Sequence, residues 1–123
     1  MEHFITEFAV NYFKTKTSKA KPITNQELDF LLQKELGIRS LSDSGIRALI
    51  HHIRVSVPIR NEEGEQGWIC ASGDGYYLSY NGVDILSHLQ SVNGKINKMS
   101  MMLMRGKSVL DEKIYFKQSR LEF

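Results

Sequence analysis

Thr24-Asn25-Gln26-Glu27-Leu28, then Leu31-Leu32 and Leu36-Gly37, then Ser44-Gly45-Ile46-Arg47-Ala48-Leu49-Ile50-His51-His52-Ile53-Arg54-Val55, and finally Gly75-Tyr76-Tyr77-Leu78 decide the fold of this chain. Thr24 and Glu27 stand three residues apart, so hydroxyl and carboxylate can each satisfy a free backbone N–H at a helix start. A helix is expected from Asn25, with Leu28, Leu31, Leu32 and Leu36 at helical spacing. Gly37 takes the left-handed conformation that ends it without a Cβ clash.

Ile38 fits the turn that follows, and Ser42 or Asp43 offers an oxygen to cap a second helix over 43–55. At 100° per residue, Ile46, Leu49, Ile50 and Ile53 fall on its core side. Ser44, Ala48, His51 and Val55 centre the opposite side, with Arg47 and Arg54 on one edge and His52 on the other. Small polar residues edged by arginines suit a helix entering a DNA major groove, where Arg reads guanine or grips phosphate. Ser42, Ser44, Arg47, Ala48, His51 and Arg54 are the candidate DNA-reading residues.

Downstream of this pair, Val57-Pro58-Ile59 reads as an edge strand, since proline cannot donate to a ladder. Asn61 to Gly67 reads as a flexible acidic loop. Gly67-Trp68-Ile69-Cys70-Ala71 and Gly75-Tyr76-Tyr77-Leu78-Ser79, joined through Ser72-Gly73-Asp74, form a predicted hairpin. Trp68 and at least one of the two tyrosines are expected to pack rather than stack on bases.

The run Ile23 to Leu28, the glycine-ended helix, Ser44 to Arg54, Pro58-Ile59, and Ile69-Cys70-Ala71-Ser72 leading to Gly75-Tyr76-Tyr77-Leu78-Ser79 resemble small winged helix-turn-helix proteins encoded by phages and prophages. The likeness covers roughly residues 20 to 105. It implies an α+β winged helix-turn-helix core of three helices and a β-hairpin wing. It also implies the long helix that follows, with Asp84 to Arg105 as its counterpart here. The function it implies is DNA binding in a phage or prophage replication or regulation module, and the place is the cytoplasm of a bacterial host. This chain departs from the pattern at Arg60 to Gly67, where three glutamates enter a link that is usually short. Carboxylates next to phosphates repel them, which argues against a positively charged wing.

The chain has 123 residues, enough for one domain with a modest core plus an extension. A formal charge of +2 is too small to announce nucleic-acid binding by itself, so the distribution matters. Residues 1–23 carry a net +2, 24–57 balance, 58–80 carry −3, 81–107 carry +3, and the tail is neutral. One cysteine, Cys70, rules out an internal disulfide and reads as a small core residue in a reducing cytoplasm. The sequence holds no basic-then-apolar leader and no run long enough to span a bilayer, so no membrane partner is expected.

Near the start, Phe4, Ile5, Phe8 and Tyr12, with Phe13 at the margin, form a helical stripe that supplies the first core helix; a strand is the alternative. Lys14, Lys16, Lys19 and Lys21 follow among Thr, Ser and Ala as a loop able to meet phosphates. A plain solvated linker is the competing reading.

From Asn81, a suitable cap, Ile85, Leu89, Val92, Ile96, Met99 and Leu103 keep a 4-3-4-3-4 spacing, which is a heptad seam. Lys95, Lys98, Arg105 and Lys107 crowd its C-terminal half. Such a stripe is longer than the core can cover, so self-association into a homodimer or higher oligomer is expected, and the methionines read as packing rather than metal ligands. The expected divisions are a winged helix-turn-helix domain at 1–80, an oligomerisation helix at 81–107 and a tail at 108–123. Ile114, Tyr115, Phe116, Leu121 and Phe123 should keep that tail from being wholly solvated.

No catalytic constellation is present, so no enzyme, cofactor or metal is expected. His51 and His52 point about 100° apart on a helix, and Gly73-Asp74-Gly75 lacks the lysine and helix start of a phosphate loop. The expectation is a sequence-specific double-stranded DNA-binding protein. The alternative is a winged-helix adaptor that binds a host or phage replication or transcription protein, which the acidic link and apolar tail would favour.

Overall fold

The computed structural model describes the backbone of residues 2–121 and the side chains of residues 2–115. Helices α1 (His3–Lys16), α2 (Asn25–Leu36) and α3 (Ser42–Ser56) precede strands β1 (Trp68–Ser72) and β2 (Gly75–Ser79), and helix α4 (Gly82–Leu121) closes the order. The class is α+β.

The capping box forms as its spacing demands. Thr24 Oγ1 accepts from the Glu27 N–H at 3.1 Å, and Glu27 Oε1 accepts from the Thr24 N–H at 3.4 Å. Gly37 sits at φ +63° and donates its N–H to Gln33 O at 2.9 Å, closing α2. Thr24→Ala is expected to cost about 1 kcal/mol in a urea titration, because a helix N–H loses its acceptor.

Asp29, on α2, then fastens the turn into α3: its carboxylate accepts from Ser40 Oγ at 2.6 Å and from the Leu41 N–H at 2.8 Å. Ser42, at φ +64°, begins α3 in a left-handed conformation, and its Oγ accepts a long 3.5 Å bond from the Gly45 N–H. Leu41 occupies the cap position, and neither Ser42 nor Asp43 supplies the expected capping side chain there.

The core is where the three helical stripes meet the hairpin. Leu28 and Leu32 from α2, Ile46, Leu49, Ile50 and Ile53 from α3, and Ile69 and Leu78 from the strands are buried together with Ile23 and Ile59. α1 contributes Ile5, Ala9 and Phe13, with Phe13 fully buried and Phe4 exposed. The expected stripe was therefore placed one step off: the small Ala9 lets α1 approach closely, and that turns Phe13 inward.

β1 and β2 pair antiparallel, Trp68 opposite Ser79 through Ser72 opposite Gly75. A third extended segment joins this sheet at one point. Ile23 and Tyr76 exchange both backbone hydrogen bonds at 2.8 Å, so the approach to α2 is tied to the hairpin. Thr17 adds a second tie, since its Oγ1 donates to Phe13 O at 2.9 Å and accepts from the Leu78 N–H at 3.1 Å.

Three expectations need correction. Val57-Pro58-Ile59 is not a strand; Ile59 O only accepts from the Gly67 N–H at 2.8 Å, and Arg60 bridges Gln66. The acidic link is not a loose loop. Asn61 Oδ1 accepts from the N–H of Glu63 (3.0 Å) and Glu65 (2.8 Å), and Arg60 Nη1 donates to Gly64 O at 2.8 Å, so one side chain organises a closed turn. Nor is 108–123 a separate tail, because α4 runs on to Leu121. Gly106 and Ser108 weaken a helix without forbidding it. Phe116, Leu121 and Phe123 lie outside the described side chains.

The chain divides into a globular unit of residues 1–88 and a helical unit of residues 89–123. The first turns of α4 belong to the globular unit. Asn81 Oδ1 accepts from the Val83 N–H at 2.8 Å, as a cap should. Asp84 accepts from Ser79 Oγ at 3.2 Å and from Lys19 Nζ at 3.0 Å, and Trp68 Nε1 donates to His88 Nδ1 at 3.1 Å. The compact unit thus takes in the first two turns of α4, up to His88.

Candidate functional site

α3 is positioned from both ends. Its core side is closed by Ile46, Leu49, Ile50 and Ile53, each at most 1% exposed, and Asp29 holds the turn at its start. That fixes which side faces out. Ser42, Ser44, Arg47, Ala48, His51, His52 and Val55 are all exposed, and none is covered by another element of the globular unit. The residues expected to read a groove are thus brought to one open surface, with one exception.

The exception is Arg54, which is half-buried. Its Nε donates to Ile69 O at 2.9 Å, and its guanidinium lies 5.8 Å from the Trp68 ring centre and 5.9 Å from that of Tyr76. Burial pulls its pKa below the usual arginine value, the charge being retained because that value is so high. Arg54 Nη2 is buried with no hydrogen-bond partner, beside a hollow of about 150 Å³ lined by the end of α3 and by Gln66, Gly67 and Trp68. Arg54 therefore ties α3 to β1 instead of standing at the reading edge. Helical periodicity placed it at that edge because the hairpin that covers it comes later in the chain.

Arg54→Met is expected to cost about 1–2 kcal/mol, since Ile69 O loses a donor while the orphaned Nη2 is also removed. The single tryptophan reports it directly. Trp68 emission should shift at neutral pH before any denaturant is added, because the cation over its ring is gone.

Arg47 stays on the surface, where its Nε reaches only its own helix, Asp43 O at 3.3 Å. The two serines at the helix start lie oxygen to oxygen at 3.1 Å. Lys14 and Lys16 belong to the last turn of α1, not to a loop, and are exposed. Ser18 and Lys21 pair in a tight turn that leaves the Lys21 side chain exposed. Lys19 is committed elsewhere. Its ammonium pairs with Asp84, whose hydrogen bond and charge push the lysine pKa up.

The hairpin carries no lysine or arginine from Trp68 to Ser79, and Asp74 stands at its turn. The preceding turn exposes Glu62, Glu63 and Glu65. Exposed positive charge in the globular unit sits on Lys34, Arg39, Arg47 and Arg60, on the end of α1 and on the Ser18–Lys21 turn. Among the described residues no group of His, Cys, Asp and Glu could hold a metal, and no helix is long and apolar enough to cross a membrane. Cys70 is fully buried, and burial raises its thiol pKa.

Three side chains that organise this arrangement were not singled out from sequence: Asp29, Asn61 and Asp84. Asp29 had a readable signal, being an acid inside an apolar stripe and one turn from the cap. The comparisons with known proteins give no guide to the site, since no family model, curated protein or solved structure matches this chain.

Proposed function

We propose that the chain is a winged helix-turn-helix protein that binds double-stranded DNA sequence-specifically, with α3 in the major groove. The observation that carries this reading is the uncovered outer face of α3: Ser42, Ser44, Arg47, Ala48 and His51 side by side, with no bulky side chain among them except the one arginine and one histidine. A helix of this kind meets base edges without a clash, and Arg47 supplies the bidentate donor. Lys14, Lys16 and Lys21 hold the phosphates, and the hairpin, being acidic, stays off them. The order of elements, with Ile23 bridging the hairpin, supports a winged arrangement. A role in a phage or prophage replication or regulation module is the part of this reading that rests on the resemblance of the sequence alone. Self-association through Ile85, Leu89, Val92, Ile96, Met99 and Leu103 pairs two half-sites, which one small module needs for discrimination.

An adaptor that grips a replication or transcription protein is the second reading. It is favoured by the closed acidic turn of Glu62, Glu63 and Glu65 and by the apolar groove between α1 and α2, lined by Phe8, Tyr12 and Leu31. Selection of bound fragments from a randomised duplex library, followed by mobility shifts over a salt series, separates the two. The DNA reading expects one enriched motif and affinity falling with salt at a log–log slope of about −0.9 per phosphate contacted. No enrichment and no shift of any duplex, together with capture of a replication or transcription protein, favours the adaptor.

A further inference from the structure

The helical unit offers no core of its own. Leu89, Val92, Ile96, Met99, Leu103 and Leu110 are all exposed on α4, Leu103 at 71%. Continuing the heptad count past Leu103 brings Gly106 and then Leu110 into the same seam. A glycine in mid-helix weakens it and leaves room where a side chain would stand. Met102, Leu103, Lys107 and Leu110 stand around Gly106 and leave a hollow of about 330 Å³.

We propose that α4 pairs with a second copy of itself in the antiparallel sense, centred between Asn97 and Lys98, with Leu89 of each protomer seated in the hollow at the other's Gly106. Two features of the seam select this arrangement. In an antiparallel pair each seam residue faces a seam residue of the opposite type. With that centre Ile96 meets Met99, Val92 meets Leu103, Leu89 meets Gly106 and Ile85 meets Leu110, so no seam position from 85 to 110 lacks an apolar or glycine partner. A parallel in-register pair would set Gly106 against Gly106 and open a void in the layer.

The flanks agree. In the antiparallel register Lys95 lies beside Met102, His88 beside Val109, Asn93 beside Ser100 and Leu86 beside Lys107. No cation there meets a like charge, and the lysine stems can lie along apolar neighbours. A partner of other chemistry would have no reason to match the spacing and the hollow of this stripe. A second copy matches both.

The inference rests on the self-association in the function proposed above and is independent of the DNA contact. It is tested with full-length protein in a Cys70→Ala background, carrying either Leu89→Cys or Gly106→Cys. Oxidised separately, the two variants should stay unlinked, since like positions lie on the order of 25 Å apart along the paired helices. Mixed and oxidised, they should give a covalent heterodimer. Self-linking of either variant alone would overturn the orientation while leaving self-association standing. A monomeric mass for unmodified protein at high concentration in light scattering would overturn both. As a check without cysteine, Gly106→Leu should weaken the dimer at least tenfold by filling the hollow; a stronger dimer would mean the parallel pair.

Discussion

Gly75→Ala is expected to lower the stability of the globular unit by about 3 kcal/mol or more, the largest effect of any single-methyl change in it. Gly75 sits at φ +132°, which L side chains rarely adopt. The space is also taken: a Cβ there would lie 2.5 Å from Ile23 O and 2.6 Å from Ile23 C. These atoms are backbone and cannot swing aside. Relief requires breaking the reciprocal 2.8 Å pair between Ile23 and Tyr76, which is the tie between the approach to α2 and the hairpin. Stability of a domain this size is about 5–15 kcal/mol, so the loss is a large share. Urea titration followed by Trp68 emission measures it. Gly73→Ala is the control, because a Cβ at Gly73 meets nothing within 4 Å. It should cost little, and equal losses at both glycines would mean that the close approach is not the cause.

The second large effect is on binding. Arg47→Ala should weaken binding to a selected duplex by about 2 kcal/mol per half-site, on the order of a thousandfold for a two-site complex. Thermal stability should stay within about 0.5 kcal/mol of the parent, because the side chain is exposed and bonds only to its own helix. This split separates Arg47 from Arg54. Arg54→Met should cost stability, and its effect on binding should follow from the loosened hairpin. If Arg47→Ala left affinity unchanged while Arg54→Met abolished it in a folded protein, the groove-reading role would pass to the wrong arginine and the face would be misassigned.

How much of this was legible beforehand follows from which signals are local. The α2 boundaries were readable because both depend on neighbours in sequence: Thr24 with Glu27 at one end, Gly37 at the other. The core side of α3 was readable because four aliphatic residues repeat at helical spacing, and all four are buried. The second hairpin strand matches and the first is displaced by one residue, since Gly73-Asp74 is the turn.

What failed was set by contacts distant in sequence. Periodicity cannot foresee that Trp68 and Tyr76 will cover Arg54, or that Asp84 will take Lys19 from 65 positions away. α1 was rotated because large aromatic side chains drew attention from Ala9, whose smallness is what lets the helices meet. The stretch 61–66 reads from its composition as a flexible acidic loop, whereas one asparagine carbonyl satisfies two N–H groups and closes it. α4 was cut short at Lys107 because the heptad seam was followed only to Leu103, whereas the helix runs on to Leu121.

The most direct test of the central claim follows backbone amide shifts of labelled full-length protein while a selected duplex is added. The account predicts that the largest shifts fall on Ser42, Ser44, Arg47, Ala48 and His51, with smaller ones at Lys14, Lys16 and Lys21 and little change from Asn61 to Gln66. Shifts confined to the acidic turn, or to the groove between α1 and α2, with the outer face of α3 undisturbed, would contradict it.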